Sequence, residues 1–185
     1  MLDEQLQSRY FPSSASWMRY PMVSPTTVNF RAANPQEDGA IAEHFYRMWR
    51  DLGITDAVIQ PQWPSLCTEF IAHARQHLHY QAFVAEVEGA IVGSAGGQRF
   101  AGLYPWIISS SDRQYGYIWG VYVEPDYRHR GIATRLTQLV VEHLQGIGCT
   151  KVVLNAAPKA RPLYQRLGFG DSNLMELDLR EKAEG

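Results

Sequence analysis

The stretch from Tyr117 to Ile147 restricts the fold of this chain more than any other. It opens on Tyr-Ile-Trp-Gly-Val-Tyr-Val, a run of aromatic and β-branched residues suited to a pleated, largely buried strand. Pro125 ends that strand, because proline has no N–H to give to the ladder. A short basic turn follows, Arg128-His129-Arg130-Gly131, and then a helix whose Ile132, Leu136, Leu139, Val140, Leu144 and Ile147 recur at helical spacing. Thr134, Arg135, Gln138, Glu142 and Gln145 fall mainly on the opposite side. The turn is where chemistry can enter. The first amides of a helix lack intrahelical partners and sit at the positive end of its dipole. Gly131 and Ala133 leave the backbone open to a phosphate, with Arg128 and Arg130 beside it. Spacing alone equally allows an ordinary strand-to-helix connection whose arginines are solvated.

The remaining elements follow the chain. Thr26 to Ala32 reads as a strand. Asn34-Pro35 starts a helix with Ile41, Phe45, Met48, Trp49 and Leu52 as its buried stripe and Gly53 as its stop. A second helix is expected from about Ser65, carrying Leu66, Phe70, Ile71, Ala74 and Leu78. Gln81–Val87 and Ala90–Gln98 form a hairpin turning at Glu88-Gly89, with Gly93, Gly96 and Gly97 signalling a bulge or close packing. A long connection, Phe100 to Gln114, contains Tyr104, Pro105 and Trp106 and suits a lid or a dimer contact. After the opening stretch come a strand at Lys151 to Asn155, a helix over about 159–167 ended by Gly168, and an alternating last strand at Leu174 to Leu179. Residues 1–25, with Tyr10, Phe11, Trp17 and Tyr20 among prolines, predict an extended arm packed on its own domain or a second subunit; 26–180 form one domain, and 181–185 fray.

Composition limits the partners. A net charge of −2 gives no global attraction for nucleic acid, so an anion site must be local. No apolar run is long enough to span a membrane, and the N-terminus lacks the basic and apolar blocks of a signal peptide. Cys67 and Cys149 lie far apart with no CxxC, which suits a reducing cytoplasm. His73, His77 and His79 raise a metal site, but no third ligand is assignable, and a solvated helix edge is the better reading; no metal is expected.

Two motifs carry a resemblance. Arg128-x-x-Gly131-x-Ala133 resembles the Q/R-x-x-G-x-G/A signature of the GCN5-related N-acetyltransferases, the GNAT family. About thirty residues later, the run from Ala160 through Tyr164 to Gly168-Phe169 looks like that family's A-x-x-x-Y-x-x-x-G-F segment, and two motifs in order are far more specific than one. The resemblance implies an α/β (α+β) fold with a mixed, largely antiparallel central sheet flanked by helices, its fourth and fifth strands splayed, and acetyl-CoA as co-substrate. It implies that the turn formed by Arg128, His129, Arg130, Gly131, Ile132, Ala133 and Thr134 holds the pyrophosphate. Backbone groups of Val121, Tyr122 and Val123 would pair with the pantetheine arm, with Asn155 near it. Tyr164 takes the general-acid position, against the alternative of a core tyrosine whose hydroxyl meets a carbonyl.

The base is not assigned: the region Tyr115 to Trp119 lacks the carboxylate many relatives place there, leaving Glu69, Asp112, His44 or a water chain ordered by Tyr117. A covalent route through Cys149 has no histidine partner in view. Asp56, Gln60, Gln62 and Trp63, between the first two helices, are candidates to touch the acceptor or simply to form a packed loop. The expected activity is acetylation of the amine of a small molecule, amino acid or peptide by direct attack, with a homodimer as the expected assembly. The competing reading is a non-catalytic acyl-CoA-binding or sensing module.

Overall fold

The structure, a computed structural model, describes residues 27–101 and 107–178. The N-terminal arm, Tyr104, Pro105, Trp106 and the C-terminal residues 181–185 lie outside the described residues. Strands β1 (Asn29–Ala32), β2 (Gln81–Val87), β3 (Ala90–Arg99), β4 (Tyr115–Val123) and β5 (Lys151–Val153) form one sheet in the order β1-β2-β3-β4-β5. The first three pairings are antiparallel and β4–β5 is parallel. Helices α1 (Asp38–Asp51) and α2 (Trp63–His77) cover one face, and α3 (Ile132–Gly146) covers the other against β2, β3 and β4. A short α4 (Arg161–Arg166) follows β5.

Sequence chemistry explains the placement. The stripe expected on α3 is the buried one, Ile132, Leu136, Val140 and Leu144, and it packs with Ala95, Ile118 and Val123 of the sheet. Thr137 joins that face because its hydroxyl donates to Ala133 O at 2.8 Å, which satisfies it inside the core. On the other face Ile41, Ile71, Ala74, Tyr80 and Val84 form a second cluster. Arg75 clamps the start of α1 from α2, donating through Nε and Nη2 to the two Asp38 oxygens at 3.1 and 2.6 Å. Arg31 similarly bridges Glu37 and Glu86, and holds the Glu37 carboxyl down at about 2.

Three elements differ from expectation. Helix α2 begins at Trp63 rather than near Ser65, since Pro64 is favourable in a first turn. Strand β5 stops at Val153, two residues short of Asn155. No strand forms over 174–178: Leu174, Met175 and Leu177 are 73%, 93% and 65% exposed, so their alternation has neither a partner ladder nor a face to bury.

Candidate functional site

Two local departures from regular sheet shape the site. Between β3 and β4, Ser94 pairs with Tyr122 but Gly96 pairs with Trp119, so β4 holds one extra residue. Gly120 lies in that bulge at φ 66°, a left-handed conformation that costs little only without a Cβ. Strands β4 and β5 then part: they pair only from Tyr115–Lys151 to Tyr117–Val153, and no described strand pairs with residues 118–123 on that side. At the root of the splay, Asn155 Nδ2 donates to the Tyr117 hydroxyl at 3.2 Å.

Beyond β4 the chain makes a single 3₁₀ turn at Pro125–Tyr127 and enters the basic turn. His129 and Gly131 both adopt positive φ, 62° and 78°, while Arg128 between turn and strand is extended. Helix α3 starts so abruptly that its first return bond runs from Arg135 N–H to Gly131 O at 3.0 Å. No described backbone group accepts from the amides of 129–134. That leaves a run of N–H donors at the positive end of a 15-residue helix.

The amides open on a cavity of about 480 Å³. Its lining brings together nine of the expected cofactor residues: Val121, Tyr122, Val123, Arg128, His129, Gly131, Ile132, Ala133 and Thr134. Arg130 and Asn155 do not line it. The two arginines expected to flank the turn are both engaged within the protein. Arg128 Nε donates to Val123 O at 2.8 Å and Nη2 to Asp51 at 2.5 Å, so its charge is paired and its fork ties the strand end to α1. Arg130 turns back to Asp126 O at 2.8 Å and covers the Tyr127 ring. The opposite wall comes from the segment after β5, with Lys159, Ala160, Pro162, Leu163 and Arg166. Sequence reasoning missed these, although Lys159, Leu163 and Arg166 stand at i, i+4 and i+7, the spacing of one helix face.

Tyr164 projects from the other side of α4 and is 9% exposed, with its ring edge-on to Phe169 at 5.8 Å. Among the described residues its hydroxyl has no protein hydrogen-bond partner, and it is not one of the fully buried unpaired oxygens, so solvent or a ligand can reach it. Burial pushes its pKa up, which keeps the phenol protonated at neutral pH.

The base candidates separate clearly. His44 is 4% exposed, its Nδ1 is 2.9 Å from Ser94 Oγ, and its ring packs on Tyr122 at 5.0 Å. Burial first of all pushes its pKa down, while the Glu124 carboxylate 3.6 Å from Nε2 acts the other way. Asp112 is held by Ser109 and Ser111 in an exposed turn, and Glu69 is exposed on α2. Tyr117 faces the splay with its pKa raised by burial.

On the α1/α2 side of the bulge, Trp119 collects Phe45, Phe70 and Tyr80 with centroids 5.3, 5.5 and 5.4 Å away. Trp63 stacks on Tyr46 at 4.5 Å, and the Tyr46 hydroxyl donates to Asp56 at 2.8 Å. Gln60 and Gln62 bond one another at 3.3 Å in the same exposed segment. The His73 and His77 rings lie 4.5 Å apart, and no group of three metal-ligating side chains occurs among the described residues.

Comparison with known proteins agrees with this architecture. A family profile described as "Acetyltransferase (GNAT) family" matches residues 37–169. The chain is 34% identical over 100 residues to a glucosamine 6-phosphate N-acetyltransferase of Trypanosoma brucei brucei, a match covering 54% of this chain and 65% of that enzyme. It is 33% identical over 72 residues to an aminoglycoside N(6')-acetyltransferase type 1 of Acinetobacter genomosp. 13, covering 37% and 49% respectively. The chain thus spans less than two thirds of these curated relatives. A solved predicted acetyltransferase of Clostridium acetobutylicum with acetyl-CoA superposes with a TM-score of 0.71 at 25% identity, covering 85% of this chain and 99% of that one. With the bulged and splayed β4, the amide-rich turn and a family match over residues 37–169, the chain belongs to the GNAT acetyltransferase family.

Proposed function

We propose that this protein transfers an acetyl group from acetyl-CoA to the amine of a small molecule. The observation that carries this reading is the continuity of one cavity, which joins the unengaged amides of the turn to Val121, Tyr122 and Val123 on the open edge of β4. A pyrophosphate suits the amides, and an extended pantetheine arm suits a strand edge with unused backbone groups. Acetyl-CoA supplies an activated thioester carbonyl. The chain's own groups do the rest. The open β4 edge orients the arm, and an N–H there can polarise the carbonyl. A neutral amine forms the new N–C bond as the C–S bond breaks. The Tyr164 hydroxyl, protonated and without another partner, gives its proton to the departing sulfur. The amine's own proton leaves through solvent at the splay near Tyr117, with no carboxylate assigned to receive it.

The acceptor lies against the aromatic wall around Trp119. The two curated relatives are named for glucosamine 6-phosphate and for an aminoglycoside, which supports a small amine in that place. Cys67 and Cys149 are free and burial raises both thiols, so they rest as thiols suited to a reducing cytoplasm. The test is release of CoA thiol from acetyl-CoA across a panel of aminosugars, diamines and arylalkylamines. Release that depends on at least one amine is expected. CoA binding with no amine-dependent release across the panel would instead describe an acyl-CoA sensor.

A further inference from the structure

Every cation near the turn except two is already engaged. Arg128 is paired with Asp51 and Val123 O, and Arg130 is bonded to Asp126 O. Lys159 and Arg166 line the opposite wall of the same cavity, both exposed, and neither makes a hydrogen bond or an ion pair among the described residues. A lysine and an arginine left without carboxylates on one wall of a cavity form a local excess of positive charge in a chain whose net charge is −2. The pyrophosphate of CoA needs neither of them, because the amides of 129–134 and the α3 dipole already offer it donors.

Resting on the reading of this cavity as a CoA site, we propose that Lys159 and Arg166 bind the 3′-phosphate of the CoA ribose and make the protein discriminate CoA from dephospho-CoA. The 3′-phosphate is a second anionic group, separate from the pyrophosphate. Arg166 offers a planar fork to its oxygens and Lys159 a mobile point charge. Both side chains come from the segment that also carries Tyr164, which leaves that segment from its other side.

Isothermal titration of wild type and of a Lys159→Gln/Arg166→Gln double variant with CoA and with dephospho-CoA tests this. Wild type is expected to bind CoA about tenfold or more tightly than dephospho-CoA at low salt, the size of one to two charge-assisted contacts. In the double variant that ratio should fall to within about threefold, through a loss of CoA affinity with dephospho-CoA affinity held. Unfolding midpoints equal to wild type would confirm that both exposed sites were changed without loss of fold. Equal weakening toward both ligands would assign the two cations to the pyrophosphate and overturn the inference, as would a wild type indifferent to the 3′-phosphate. Failure of wild type to bind either ligand would remove the CoA reading itself, a separate outcome.

Discussion

Tyr164→Phe is expected to lower turnover by about 10²- to 10³-fold, within the range of a lost general acid. The affinity for CoA should stay close to wild type, because Tyr164 does not line the cavity and its ring keeps its packing on Phe169. The change removes one oxygen that has no protein partner among the described residues, so stability has little to lose. The phenol is held protonated by burial of its ring, which suits a group that gives up a proton when the thiolate leaves. Acetyl-CoA turnover measured with a responsive amine, alongside direct titration of CoA, separates the two parameters. Wild-type turnover in the phenylalanine variant would exclude Tyr164 from the chemistry.

Leu144→Ala is the largest effect expected on stability, a loss of about 3–5 kcal/mol in urea unfolding. Leu144 is fully buried in the α3–sheet cluster, in the last turn of the helix. Its methyl groups fill hollows left by two glycines: a Cβ built on Gly116 would stand 2.8 and 2.9 Å from them, and one on Gly97 would stand 3.3 Å away. Glycines have no side chain to lean into the vacated space, so collapse around the cavity is limited and the cost falls high in the usual range. A loss below about 1.5 kcal/mol would mean that α3 resettles on the sheet more freely than this packing implies.

These two residues also show what the sequence makes legible. The α3 stripe could be read from spacing because a helix buried on one side repeats its apolar residues at 3.6. Tyr164 and the turn could be read because the motif residues there are set by backbone needs, such as the positive φ at Gly131. The partners of the flanking arginines could not be read from the sequence, for a tertiary reason. Arg128 meets Asp51, seventy-seven positions earlier in the chain, and such a pairing leaves no local trace. Lys159 and Arg166 were overlooked for the converse reason: their importance comes from what they do not contact. The strand expected at Leu174 had the right alternation, yet alternation supplies only propensity, and a strand also needs a neighbour. Of the carboxylates that the sequence offers as a base, Asp112 is tied by local serines and Glu69 is exposed on α2, while Glu124 after β4 is engaged by Arg47 from seventy-seven positions earlier.

A crystal structure of this protein grown with acetyl-CoA tests the central claim most directly. The pyrophosphate oxygens should lie about 3 Å from amides within 129–134, and the thioester should enter the splay beyond the Tyr117–Val153 pair. Pyrophosphate bound away from those amides, or a thioester outside the gap between β4 and β5, would contradict it.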